Sequence, residues 1–149
     1  MAEYFDPHAG HLFKVTIDGI DSGRFQEVSG LSMELELDQI SEGGASYPHK
    51  FVKGAKYGDI TFKRGFFNNP ALFEWFEKCA QQSLTERKNG SIILHGDDKK
   101  PVCQWDFYRA FPKKWEGPSF NAASSAIAFE SLTLYVEYFE INTEAATQR

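Results

Sequence analysis

Few side chains in this 149-residue sequence have both the type and the spacing that chemistry requires. His8 and His11 form a His-x-x-His pair that could clasp a metal ion, but no third ligand stands at a motif spacing beside them, so two solvated histidines on an N-terminal arm is the preferred reading. Gly43-Gly44 offers a loop for cradling phosphate, yet no Lys-Ser/Thr follows and no helix begins there, which favours a flexible turn. Glu34 and Glu36 share one strand face and could act as acid and base, but nothing apolar surrounds them to raise a pKa. Cys79 and Cys103 lack a CxxC spacing and read as reduced core thiols rather than a disulfide or a metal pair. No Ser/His/Asp or Cys/His arrangement has motif context either. The expectation is therefore no catalytic residues, no metal and no cofactor, with an enzyme the weaker class of hypothesis.

The elements that would position these residues are mostly strands. The clearest stretch is 57–84. Ile60 and Phe62 alternate with Thr61 and Lys63, the period of a strand with one buried face, and Gly65 ends it. Asn69 can cap a helix whose first position is Pro70. At about 100° per residue, Ala71, Leu72, Phe73, Trp75, Phe76, Cys79 and Ala80 fall on one side, and Glu74, Glu77, Lys78 and Gln81 on the other. So wide an apolar arc predicts that the helix, with Leu72, Phe73, Trp75, Phe76 and Cys79, forms the centre of the core against a curved sheet or across a barrel mouth. On that expectation, Phe76→Ala costs about 3 to 5 kcal/mol if the ring is fully enclosed.

Elsewhere strands are predicted over 12–18, 24–28, 31–38, 91–95, 102–111 and 126–139. The cleanest alternation sets Leu31, Met33, Leu35 and Leu37 against Ser32, Glu34, Glu36 and Asp38. The last strand places Ala128, Leu132, Leu134 and Val136 on one face and Ile127, Phe129, Tyr135 and Phe139 on the other, which suits a central or covered strand. Pro112, Gly117 and Pro118 interrupt the pattern after 111, and 120–125 reads as a linker. Segment 41–58, with Gly43, Gly44, Pro48, Gly54 and Gly58, reads as an unusually long loop, a kind that is commonly functional. The whole is expected to be one domain over 1–149, with a flexible arm at 1–11 and a tail at 142–149.

Composition narrows the function classes. Aromatic residues at 15% and hydrophobic ones at 42% exclude a disordered chain and suit a β-rich fold. The net charge of -5 argues against a nucleic-acid surface, and Lys99-Lys100 and Lys113-Lys114 read as solvated turns. No apolar run is long enough to span a bilayer, and the N-terminus lacks the pattern of a signal peptide. Synthesis in the cytoplasm is expected, without direct membrane insertion.

Four sets of residues, in this order, resemble the tail tube proteins of contractile phages and phage-like injection systems. They are Phe13-Lys14-Val15-Thr16-Ile17-Asp18-Gly19 with Phe25-Gln26-Glu27-Val28-Ser29-Gly30-Leu31, then Glu42-Gly43-Gly44. Next comes Ile60-Thr61-Phe62-Lys63-Arg64-Gly65 running into the helix with Leu72 and Trp75, and last Trp105-Asp106-Phe107-Tyr108-Arg109-Ala110-Phe111-Pro112 with Glu130-Ser131-Leu132-Thr133-Leu134. The likeness runs from about 12 to 138 and departs at His49-Lys50-Phe51-Val52-Lys53-Gly54, where the family carries a Lys-Leu-Pro-Gly-like run. It implies a mainly β fold, an antiparallel β-sandwich or barrel with one flanking α-helix. It also implies homo-hexameric rings stacked into a hollow tube inside a contractile sheath, with baseplate or spike and tube-initiator proteins at the ends. An effector protein or phage DNA would be the cargo. Phage tail and extracellular or cell-associated injection particle both stay open.

Under that resemblance the ring-stacking segment is expected at Glu42, Gly43, Gly44, Tyr47, Lys50, Phe51, Val52, Lys53 and Gly54. Glu34, Glu36 and Asp38 become candidates for facing the lumen, with a solvated outer face as the other reading. Two further classes stand beside the tube protein. One is a solitary ligand-binding β-barrel, which requires an apolar pocket. The other is a hydrolase with an unrecognised site.

Overall fold

The structure is a computed structural model of the chain and describes residues 13–20, 25–41, 43–44, 46–65, 70–81, 86–96, 100–123 and 128–143. The arm at 1–11, Glu42 and Asn69 lie outside the described residues.

One long strand organises the fold. β7 (Pro101–Glu116) pairs in its first half with β6 (Lys88–His95) on one side and β9 (Tyr138–Asn142) on the other, and in its second half with β8 (Phe129–Tyr135). Between the halves Arg109 adopts a left-handed backbone, φ 53°, and its N–H donates to Asn89 Oδ1 at 2.9 Å. The ladder also loses register between Lys88 and Gly90 and again between Pro112 and Lys114. These irregularities let β7 turn from one layer into the next. With β1 (Phe13–Ile17), β5 (Ile60–Gly65) and β2 (Glu27–Ser29), the strand order is β1-β6-β7-β8-β5-β2, every pairing antiparallel.

The bend folds the sheet onto itself. Val15, Ile17, Ile92 and Phe107 from one layer meet Ile60, Phe62, Leu132 and Leu134 from the other, all buried. Phe62 and Phe107 bridge the layers with ring centroids 5.9 Å apart. The interior is thus filled by side chains, an antiparallel sandwich with a barrel-like corner, as the resemblance implied.

The helix adds two side chains, Leu72 and Trp75, to this core. α1 (Ala71–Gln81) starts with the Glu74 N–H donating to the Pro70 carbonyl at 2.8 Å. It buries Leu72 and Trp75, whose indole N–H donates to the Glu86 carbonyl at 3.0 Å. Phe76 and Cys79 are half-buried, and Phe73 is exposed with its ring against Trp115 at 4.9 Å. The buried stripe is therefore narrower than the apolar arc, and the core centre expected on the helix sits between the sheets instead. A helix over a sheet already covered by its opposite layer needs only one row of anchors.

Four further expectations change. The strand predicted over 126–139 is two strands: the chain breaks at Val136 and Glu137, whose N–H donates to the Tyr108 carbonyl at 3.2 Å, and β9 joins β7 rather than extending β8. Its start at 126–127 lies outside the described residues, and the tail begins later than 142 because β9 reaches Asn142. Pro112 does not end its strand, since it stands at the register shift where a missing N–H is tolerated. Lys113 and Lys114 accordingly lie in β7, paired with Asp59 at 2.8 Å and Glu116 at 2.6 Å, rather than in a turn.

Candidate assembly surface

The segment read as a loop over 41–58 is largely a strand. β4 (His49–Tyr57) pairs antiparallel with β3 (Met33–Ile40) in a separate two-stranded sheet. Because β2 leads into β3 and β4 into β5, this ribbon prolongs the β2-β5 hairpin out of the sandwich. Its root is formed by two glycines. Gly30 has φ +93°, and a Cβ there would strike the Asp59 carbonyl oxygen; a Cβ on Gly58 would strike the Ser32 hydroxyl. The Gly58 N–H donates to the Ser32 carbonyl at 3.0 Å, so the two chains pass too closely for side chains.

Residues directly opposite in a ladder share a face. Met33, Leu35 and Leu37 stand opposite Tyr57, Ala55 and Val52, which makes one face apolar. Glu34, Glu36 and Asp38 stand opposite Lys56, Gly54 and Phe51 on the other, with Lys53 the extra residue where the register shifts. Every residue of β3 is exposed; Met33 at 58%, Leu35 at 53%, Leu37 at 56% and Val52 at 62% leave the apolar face in water. The alternation that predicted a buried face is real, but none of the described residues covers it. A two-stranded ribbon is marginal alone, and a continuous apolar patch of this kind marks a contact surface.

Of the predicted stacking residues, Lys50, Phe51, Val52, Lys53 and Gly54 lie in β4, while Gly43 and Gly44 form a turn with open space around both. Tyr47 is 68% exposed, its ring edge-on to His49 at 5.8 Å. The structure brings these onto the same ribbon as Glu34, Glu36 and Asp38. The helix residues Leu72 and Trp75 stand apart, in the body.

At the ribbon's root lies an open cleft of about 450 Å³, lined among others by Glu36, Tyr57, Asp59, Lys113 and Glu137. Asp59 is held by Lys113, and Glu137 accepts from Arg87 at 3.2 Å and Arg109 at 2.8 Å. This is a charged, open notch, unlike the apolar pocket a ligand-binding barrel needs.

Sequence reasoning missed a buried ion pair. Arg64 and Glu130 are 0% and 2% exposed, with Arg64 Nε donating to Glu130 Oε2 at 3.0 Å. The Trp115 indole N–H donates to Glu130 Oε1 at 2.7 Å, and the Arg64 guanidinium lies 5.6 Å from the Phe25 ring centre. The signal was present: Arg64 continues the Ile60, Phe62 alternation, and Glu130 precedes Leu132 and Leu134 on the same face.

Glu86, Tyr108, Glu116 and the two cysteines lie off the ribbon. A hydrogen bond from Lys114, together with its charge, holds Glu116 below the usual carboxylate range, and Lys88 does the same for Glu86. Tyr108 titrates above its ordinary value through burial and the negative charges of Asp106 and Glu140. Cys79 and Cys103 are free and half-buried. Among the described residues, no group of three metal-ligating side chains is gathered and no helix is long and apolar enough to cross a membrane. His8 and His11 lie outside those residues.

A family model described as T4-like virus tail tube protein gp19 matches residues 10–140. The fold is similar to a chain of the PVC sheath-tube complex, an extracellular contractile injection system in its extended state. The TM-score is 0.83 and identity 27%, covering 95% of this chain and 94% of that one. A chain of the anti-feeding prophage tube terminating cap matches with TM-score 0.81 and 28% identity over 96% of this chain and 99% of its own. One from the anti-feeding prophage baseplate matches with TM-score 0.79 and 25% identity over 92% and 96%. Among curated proteins, coproporphyrin III ferrochelatase of Enterococcus faecalis is 26% identical over 99 residues, 64% of this chain, which spans about a third (32%) of that enzyme's length.

Proposed function

The chain belongs to the T4-like virus tail tube protein gp19 family, and from that membership we propose that its copies close into six-membered rings and stack into a hollow tube within a contractile sheath. The observation that carries this reading is the uncovered apolar face of the ribbon. Met33, Leu35, Leu37 and Val52 are each more than half exposed. Burying the remainder of each is worth roughly 1 kcal/mol. Repeated in every copy around a ring and from ring to ring, small terms of this size add to a stable assembly.

The ribbon also suits ring stacking. It extends beyond the sandwich from a glycine root, and its turn, with Gly43, Gly44 and Tyr47, leads the way toward the next ring. Glu42, Lys50, Phe51, Lys53 and Gly54 share that role. Glu34, Glu36 and Asp38 are assigned to the lumen, where six copies of a chain at -5 give a ring of roughly -30 and anionic cargo meets like charge. The role is mechanical rather than catalytic: the tube holds or conducts an effector protein or nucleic acid and is driven through an envelope when the sheath contracts. Sheath and baseplate partners are supported by the complexes from which the similar chains come, a sheath-tube complex and a baseplate. Spike and tube-initiator proteins complete the proposed set of partners, with synthesis and assembly in the cytoplasm.

Negative-stain microscopy of the purified protein tests the reading. Six-fold rings or tubes are expected as concentration rises; a protein that sediments as a monomer at every concentration overturns it.

A further inference from the structure

The ribbon meets the body through two short connections that lie side by side, residues 30–32 and residues 58–59. The ladder of β2 with β5 stops at Ser29 and Thr61, and that of β3 with β4 begins at Met33 and Tyr57. In the gap the Gly58 N–H donates to the Ser32 carbonyl at 3.0 Å, and Gly30 holds φ +93°. A break at one level in both strands, with a glycine in each, is where a hinge belongs, since a few residues at element ends absorb the backbone change.

The open cleft of about 450 Å³ lies against this break. The ribbon lends it Glu36 and Lys56; the break lends Asp59, and the body Lys113 and Glu137. Glu36 and Lys56 have no ion-pair partner among the described residues. Asp59, in contrast, is tied to Lys113 of β7 at 2.8 Å, so the body grips the break itself. The ribbon thus brings one anion and one cation to a cleft whose far side offers a cation and an anion.

We propose that the ribbon is a hinged arm with a second position, swung over the cleft, in which Glu36 takes Lys113 from Asp59 and Lys56 pairs with Glu137. The inference rests on the ring-forming role given above and supplies its regulation: swung in, the ribbon is withdrawn from neighbouring copies, and only the outward position joins a ring. The Lys113–Asp59 pair is the pin of the outward position. All the side chains exchanged are exposed or half-exposed, and ion pairs in water contribute little, so the two positions lie close in free energy and one charge tips the balance. The concentration needed for rings then rises in proportion as the outward fraction falls.

The test measures the arm directly. Spin labels at Gln39→Cys on the ribbon and Lys114→Cys on the body, in a full chain carrying Cys79→Ser and Cys103→Ser, give the distance between arm and body by pulsed electron resonance. Dilute monomer is expected to show two distances, and rings diluted with unlabelled chain only the longer. Asp59→Asn removes the pin and is expected to enlarge the shorter population and raise the concentration at which rings appear severalfold. Glu36→Gln with Lys56→Gln, both at exposed positions, is expected to abolish the shorter distance and lower that concentration. A single distance in the monomer, unchanged by Asp59→Asn in a protein that circular dichroism shows folded, overturns the hinge. Variants that shift ring formation while leaving the distances alone overturn it too, since the charges then act between copies. Failure of the ring-forming role shows differently, as a wild type that makes no rings, and the monomer distances still decide the hinge.

Discussion

Replacing Glu130 by Leu should destabilise the body sharply, and replacing Arg64 as well should restore much of the loss. Both side chains are essentially inaccessible, at 2% and 0%, so the guanidinium left behind cannot regain water without opening the sandwich. Removing one member of a buried pair costs about 3 to 5 kcal/mol, because the other loses the opposite charge it was buried against. The Trp115 indole N–H loses its acceptor at the same time, a further penalty of about 1 kcal/mol for a half-buried group. For a chain of this size each kcal/mol moves Tm by about 2 to 4 °C, so the melting temperature should fall by roughly 8 to 24 °C. Arg64→Met with Glu130→Leu removes both charges and keeps apolar volume, and such replacements are often neutral. Glu130→Gln should fall between, since its carbonyl oxygen can accept from only one of the two donors at full strength.

Thermal melts of the two single variants and the double, at concentrations where the protein is monomeric, complete the cycle. A Glu130→Leu protein melting within about 2 °C of wild type would refute the argument that this pair is sealed from water. So would a double variant no more stable than the weaker single, because the loss would then come from packing rather than from the broken charge pair.

On the helix, Trp75→Ala should cost about 3 to 5 kcal/mol and Phe76→Ala distinctly less, because Trp75 is buried and Phe76 half-buried; equal chemical-denaturation midpoint shifts would contradict the packing seen. Replacing residues 44–54 by a short Gly/Ser linker should leave the body's melting temperature within a few degrees of wild type but abolish long tubes in microscopy; full-length tubes would place stacking elsewhere. In assembled tubes, Glu36→Cys should react with a reagent small enough to diffuse along the bore and resist one too large to enter, and equal labelling by both would remove it from the lumen. Tyr108 has a pKa raised from 10.0, so its stabilising share is present below that pH and is lost as pH climbs through the shifted value. Tyrosinate absorbance should show a late-titrating group that Tyr108→Phe abolishes.

The body was legible because its strands alternate and its buried faces are covered within the chain. Ile60, Phe62, Leu132 and Leu134 were placed correctly by period alone. The helix was found but over-weighted: Phe73 and Phe76 widen the apolar arc, and an apolar side chain at the surface is common enough that the arc did not report burial. Arg64 and Glu130 sat at buried positions of the alternation, yet their charge argued for solvent until a partner 66 residues away was brought beside them. β4 was unreadable for a different reason. His49, Lys50, Lys53 and Lys56 interleave with Phe51, Val52 and Ala55 across a register shift, so neither face repeats with period two.

β3 and β4 together separate what the protomer stabilises by itself from what, on the proposed reading, it leaves to copies of itself. The sandwich buries both of its inner faces and has an internal partner for its one sealed ion pair. The ribbon keeps a strand's hydrophobic alternation but, among the described residues, has neither a second layer nor a third strand. Periodicity in the sequence records the face that is dry in the working state, and on the proposed reading that state, for β3, is the assembled ring rather than the isolated protomer. The glycine root follows from the same division. Gly30 and Gly58 let two backbones pass without side chains, so the ribbon leaves the body as a narrow, separable element rather than as a continuation of the packed sheet. Substitutions in the sandwich should therefore register first in the melting of the monomer, and those in the ribbon first in the concentration at which rings appear.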